Sequence, residues 1–226
     1  MTGSVVEARG VAKHFGATAA LRGADIEVGE GEVVALMGPS GSGKSTLLHC
    51  LAGILRPDAG EVLFSGRRLE GLTEDERSRL RRSEMGFVFQ FGQLVPELDA
   101  VENVALPLLL DGVGRKAATT RAAELLGRLG VGEVADRQPG DMSGGQAQRV
   151  AVARALVTRP SVVFADEPTG ALDSLAGEAV MELLVGAARE EGTTVVLVTH
   201  EPRVAAYACR EVIIRDGRTV DPVSSR

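Results

Sequence analysis

The sequence predicts an α/β fold built around a largely parallel sheet. Short apolar runs recur along the chain with helical patterns between several of them. The runs are apolar at consecutive positions, as in strands covered on both faces. Strands alternating with helices favour parallel pairing. The N-terminal segment differs, because Val5 to Val11 and Asp25 to Val28 alternate apolar and polar residues. That pattern predicts an antiparallel sheet with one wet face.

Taken in order, Val33 to Met37 is a buried strand ending at Gly38. A helix over Ser45 to Ala52 follows and stops at Gly53. Similar apolar runs lie at Val62 to Phe64, Phe87 to Phe89, Ser161 to Ala165, Val195 to Thr199 and Val212 to Ile214. The charge-dense stretch Glu74 to Arg82 predicts a solvated helix face. Residues 91 to about 158 break the strand rhythm and predict a helical insert, with amphipathic helices over Arg121 to Leu129 and Gln146 to Leu156. The terminal DPVSSR is expected to fray.

Composition sets outer bounds. At 226 residues, 44% hydrophobic and 25% charged, the chain has the make-up of one globular domain or one domain with an insert. A net charge of −6 argues against nucleic acid as the main partner, since phosphate backbones demand clustered positive charge. Cys50 and Cys209 have no metal-site spacing and suit a reduced, cytosolic compartment. The start MTGSVVEARG has no apolar core, so no signal peptide is expected, and no run is long enough to cross a bilayer.

Lysine is scarce, with only Lys13, Lys44 and Lys116. Lys44 sits in "GPSGSGKST", which fits G-x-x-x-x-G-K-[ST] through Gly38, Gly43, Lys44 and Ser45. A strand precedes the pattern and a helix follows it. Backbone amides of such a loop wrap phosphates, the lysine adds a positive charge, and the serine hydroxyl can ligate Mg²⁺. Asp166 and Glu167 follow the apolar run ending at Ala165, which puts two carboxylates at the carboxyl end of a core strand. The first acid suits Mg²⁺ and the second suits a water to be deprotonated. His200 and Gln90 end two further apolar runs. Four strands finishing in groups with phosphate, metal or water chemistry make one site at one sheet edge. His14 and His49 have no such placement. One feature stands apart: Ser143-Gly144-Gly145-Gln146 opens a helix and can cradle an anion, yet carries no lysine.

The order of these motifs resembles that of an ATP-binding-cassette (ABC) ATPase over essentially the whole chain. "GPSGSGKST" resembles the Walker A loop, "FVFQ" the Q-loop, "MSGGQ" the signature motif and "VVFADE" the Walker B strand. "GALD" is similar to the D-loop and "VTH" to the switch histidine. "GFVFQFGQLVPELDAVENVALPL" and "DEPTGALDS" are most similar to the branch serving lipoprotein release, macrolide-type export and the cell-division cassette. Met142 stands where leucine is usual and Phe15 where tyrosine is commoner.

The resemblance implies a P-loop NTPase (RecA-like) core with an N-terminal antiparallel β subdomain and an inserted α-helical signature subdomain. It implies one domain over 1–226, with core 1–90 and 159–226 and helical part about 91–158. It implies ATP and Mg²⁺, with Gly38, Pro39, Ser40, Gly41, Ser42, Gly43, Lys44, Ser45 and Thr46 on the phosphates and Phe15 against adenine. Ser45, Gln90 and Asp166 would surround Mg²⁺. Lys44, Glu167 as general base and His200 at the γ-phosphate and attacking water would carry hydrolysis. Members work as head-to-tail dimers, so Ser143, Gly144, Gly145 and Gln146 would complete the ATP site of a second copy or paralogous cassette, with Asp173 in the dimer contact. A separate transmembrane permease would dock near 91–110 and hold the chain at the cytoplasmic face of the plasma membrane. Export and mechanotransmission stay open, as do a soluble role and ATP-driven control of a cell-wall enzyme, and the cargo is not specified.

Overall fold

The computed structural model describes residues 3–220, so the DPVSSR terminus lies outside the described residues. The N-terminal alternation becomes a long hairpin of β1 (Ser4–Phe15) and β2 (Thr18–Gly29), closed where Phe15 faces Thr18. Next come β3 (Val33–Met37), α1 (Lys44–Leu51), β4 (Ala59–Phe64) and β5 (Arg67–Arg68). They are followed by α2 (Glu74–Glu84), β6 (Met85–Phe89), α3 (Ala100–Leu110), α4 (Arg115–Arg128) and α5 (Gly144–Leu156). The chain continues through β7 (Val162–Asp166), α6 (Ser174–Glu191), β8 (Thr194–Val198), α7 (Pro202–Ala205), β9 (Arg210–Arg215) and β10 (Arg218–Val220).

Two sheets result. The six-stranded sheet has the order β10-β9-β3-β8-β7-β6, parallel throughout except for β10 at one edge. The four-stranded sheet β2-β1-β4-β5 is antiparallel. Val62 to Phe64 therefore joins the N-terminal sheet rather than the parallel core. The three-residue run hides the reason, since burial along β4 alternates in its second half, as expected of a strand with one wet face.

The large sheet is covered on both sides, which explains its unbroken apolar strands. Val163, Ala165, Val195 and Leu197 face a core shared with α3, α4, α5 and α6. Val162, Phe164, Val196 and Val198 face α1 and the antiparallel sheet. A one-residue slip would exchange the two sets, so packing on both faces fixes the register.

The helices between β6 and β7 are more extensive than predicted. α3 has no counterpart in the expected pattern, although Asp99 and Glu102 form a capping box at its start and Pro107 lies inside it. α4 begins at Arg115 rather than Arg121. α2 is the solvated helix foreseen, with a Thr73/Glu76 capping box and no fully buried residue. The Arg81 and Arg77 guanidinia pull its Glu74 carboxyl down to about 2.

The approach of β6 to α5 depends on Gly86, where a Cβ would lie 2.2 Å from the Ala155 carbonyl oxygen and 3.0 Å from Val163 Cγ2. Gly86→Ala is expected to cost about 1–3 kcal/mol through overpacking. Urea unfolding should report this as a lower midpoint, and an unchanged midpoint would show that the helix can retreat freely.

Candidate active site

The loop between β3 and α1 is shaped by three glycines with positive φ, at 148° for Gly38, 77° for Gly41 and 106° for Gly43. Two of them also meet backbone closely. A Cβ on Gly38 would lie 2.2 Å from the Ile214 oxygen, and one on Gly43 would lie 2.5 Å from the Ala20 oxygen. β9 and β2 thus press on the loop from behind. Among the described residues, the amides of Gly41, Gly43, Lys44, Ser45 and Thr46 have no acceptor. Free amides at the start of α1 suit an anion. The Lys44 ammonium is buried and donates to the Gly38 and Pro39 carbonyls at 2.9 and 3.0 Å. Pro39 and Ser40 are exposed, whereas Ser42 is buried.

The parallel register carries the remaining groups to the same edge. Asp166 is level with Val198 of β8, which is level with Leu36 of β3. Phe89 is level with Asp166, so Gln90 comes level with Glu167. The Ser45 hydroxyl donates to Asp166 Oδ1 at 2.9 Å, joining loop and strand end directly. Hard oxygens from one hydroxyl and one carboxylate, with Gln90 following the neighbouring strand at the same level, fit Mg²⁺. Mg²⁺ usually relies on a substrate's phosphates for the rest of its shell. Among the described residues, no cluster of three or more acidic, histidine or cysteine side chains could cage a metal alone. Gln90 lies against the loop after β7: a Cβ on Gly170 would be 2.9 Å from its Nε2.

Glu167 has φ 48°, a strained value for a side chain with a Cβ, and its amide donates to the Val198 carbonyl at 2.9 Å. Its Oε1 is 2.8 Å from His200 Nδ1, and its Oε2 is buried without a partner among the described residues. His200 is thus paired with the carboxylate beside Asp166. This hydrogen bond, and then the Glu167 charge, raise the imidazole pKa above its ordinary 6.5.

His49, on α1 and not at a strand end, also comes near this edge. Its Nε2 lies 3.9 Å from Asp166 Oδ2. It sits four residues after Ser45 on α1, on the same helix face, so the i, i+4 spacing from the loop serine was the available signal.

Phe15 is 51% exposed at the hairpin tip, with Lys13 Nζ 5.9 Å from its ring centroid. The hairpin's Ala20 abuts Gly43, which keeps the ring's strand beside the phosphate loop. Ser143 caps α5 by accepting from Gln146 N at 3.2 Å, while its own amide donates to Gln146 Oε1 at 2.9 Å. The Gly144 and Gly145 amides have no acceptor among the described residues. No hydrogen bond among those residues joins 143–146 to the loop at 38–46. The structure thus assembles Lys44, Ser45, Gln90, Asp166, Glu167 and His200 at one edge, and leaves the second anion cradle unconnected to it. Asp173 caps α6, accepting from Ala176 N at 2.9 Å.

The His200–Glu167 pair has a consequence for pH. Because the folded pKa is raised, the pair's contribution to stability is full below about 6.5 and is lost as pH rises through the folded value. An NMR titration should place the His200 midpoint above 6.5, and Glu167→Gln should return it towards that value. Identical midpoints in the two proteins would mean that the pair does not form in solution.

Comparison with known proteins accords with this geometry. The model of the ABC transporter family matches residues 21–170. The lipoprotein-releasing system ATP-binding protein LolD 2 of Caulobacter vibrioides is 47% identical over 96% of this chain and 97% of its own length. The macrolide export ATP-binding/permease protein MacB of Wolinella succinogenes is 46% identical over 95% of this chain but only 34% of its own length. A dimeric post-hydrolysis structure of the ATP-binding cassette MJ0796, bound to ADP and Pi, superposes with a TM-score of 0.87 at 41% identity, covering 95% of this chain and 96% of that one. The chain belongs to the ABC transporter family, as an ATP-binding cassette.

Proposed function

We propose that this chain hydrolyses ATP as a head-to-tail dimer and drives a separate membrane permease, in an export or mechanotransmission system. The observation that carries this is the joining of phosphate loop, Mg²⁺ ligands and base at one edge through the 2.9 Å Ser45–Asp166 and 2.8 Å Glu167–His200 contacts. In the division of labour we favour, residues 1–90 and 159–226 form the core and about 91–158 the signature subdomain of one domain, 1–226.

The loop from Gly38 to Thr46 binds the β- and γ-phosphates through its free amides, with Lys44 supplying charge. Ser45, Asp166 and Gln90 would hold Mg²⁺, which would supply positive charge against the phosphates. Glu167 accepts the proton of the attacking water, and His200 orients that carboxylate and reaches the γ-phosphate. Phe15 stacks on the adenine.

The second cradle gains its purpose from a partner copy. Ser143, the free amides of Gly144 and Gly145, and Gln146 cap the γ-phosphate held by the other subunit, where a lysine is already present. Asp173, at the start of α6 next to exposed Leu175, contributes to the dimer contact. The dimeric arrangement of the MJ0796 cassette supports this reading. ATP then favours the closed dimer through contacts that vanish with the γ-phosphate.

The permease docks near 91–110, at the cytoplasmic face of the membrane. Phe91, 73% exposed, and Leu110, 61% exposed, support this. So does a neighbouring groove of about 420 Å³ lined by Arg81, Arg82, Phe87, Phe89, Gln93 and Arg154, among others. No described helix is long and apolar enough to cross a membrane.

Glu167→Gln should still bind ATP but lose turnover by about 10²–10⁴-fold, since general-base catalysis is worth that much. The variant, trapped with Mg-ATP in solubilised membranes, should co-purify a membrane protein with few spans and a large extracytoplasmic domain. Wild-type turnover would remove Glu167 as the base. A many-spanned permease would overturn the export or mechanotransmission assignment.

A further inference from the structure

Gln90 leaves β6 into a tight turn that is strained. Gly92 and Gln93 both have positive φ, at 66° and 46°. For glutamine this costs about 1–2 kcal/mol unless the surroundings impose it. The Gly92 amide donates to the Phe89 carbonyl at 3.0 Å, and the Gln93 amide donates to the Phe91 carbonyl at 2.7 Å.

α5 supplies the surroundings. Gln148, buried on this helix, donates its amide to the Phe89 carbonyl at 2.9 Å. Arg154, two turns further on, donates Nη2 to the Gly92 carbonyl at 2.7 Å and Nη1 to the Gln93 carbonyl at 2.9 Å. Its planar fork holds both left-handed residues at once, a geometry an ammonium cannot reproduce. Among the described residues, the hydrogen bonds of Arg154 go to these two carbonyls and not to a carboxylate. Burial lowers its pKa without removing the charge. A half-buried cation bonded only to two carbonyls of a strained turn is costly unless the turn's shape is what matters. The same side chain lines the groove beside Arg81 and Arg82.

We propose that Arg154 is the positioning residue of the metal site: it clamps the Gly92–Gln93 turn, and thereby sets where Gln90 presents its amide oxygen to Mg²⁺. In this proposal Arg154 acts through Gln90, by its bonds to the Gly92 and Gln93 carbonyls. The proposal rests on the reading above that Gln90 is a Mg²⁺ ligand.

The test uses the full chain with one equivalent of the non-hydrolysable analogue AMP-PNP. Mn²⁺ replaces Mg²⁺, and its affinity is read from loss of the free-ion EPR signal. Arg154→Met should weaken Mn²⁺ binding by about 10-fold or more, the usual cost of losing an outer-sphere support. Arg154→Lys, which keeps the charge but not the fork, should recover only part of it, and it carries the test if the methionine variant does not fold. Gln90→Ala should weaken binding similarly, and adding Arg154→Met to Gln90→Ala should change nothing further. Additive losses, or wild-type affinity in both Arg154 variants, would overturn the proposal. Wild-type affinity in Gln90→Ala would instead remove Gln90 from the metal site, and the inference with it.

Discussion

The register of four parallel strands decides whether this molecule has an active site. β3, β8, β7 and β6 are neighbours in the sheet; the last residues of β6, β7 and β8 are level with one another and with Leu36, one residue before the end of β3. The groups that follow them, from Gly38 through Gln90 and Glu167 to His200, therefore converge without any one loop being long. Two hydrophobic cores hold the register, each taking alternate residues of the same strands. Displacing β7 by one residue would drive Phe164 into the wrong core and carry Asp166 away from Ser45 together. Stability and chemistry share one constraint, so the 2.9 Å Ser45–Asp166 contact needs no separate support.

α5 extends that constraint to a second surface. Its first turn is the anion cradle at Ser143, and its later side chains, Gln148 and Arg154, hold the turn carrying Gln90. On the proposed dimer, a single helix would connect the cradle for a partner's nucleotide with the turn that serves its own. Anything that shifts α5 changes both. The groove at Arg82 and Arg154 opens onto the same helix, so a membrane subunit docked there, as proposed, would have mechanical access to both ATP sites.

Much of this was legible in the residues. The phosphate loop, the carboxylates after β7 and the histidine after β8 each lie within a few residues of an apolar run, and local pattern was enough to find them. What escaped depended on distant parts of the chain. Ile214 and Ala20 demand glycine at Gly38 and Gly43, but they lie far off in sequence. Arg154 is one of two arginines on an amphipathic helix, and only the fold reveals that it meets Gly92 and Gln93. β4 reads like the core strands because a three-residue apolar run is too short to display the alternation of the antiparallel sheet. α3 was missed even though the Asp99–Glu102 spacing is a capping signal, since its mostly apolar sequence has little periodicity. His49 ends no strand, and its approach to Asp166 follows from its spacing from Ser45 along α1.

The central claim is that two copies share each nucleotide. Ser40 and Ser143 are both exposed, Cys50 is buried and Cys209 is exposed. In a Glu167→Gln, Cys209→Ser background, Ser40→Cys and Ser143→Cys should form disulfides between chains under mild oxidation with Mg-ATP. A dimer band on a non-reducing gel that is present with ATP and absent with ADP is the predicted result. No dimer band with ATP, or one of equal strength without nucleotide, would contradict it.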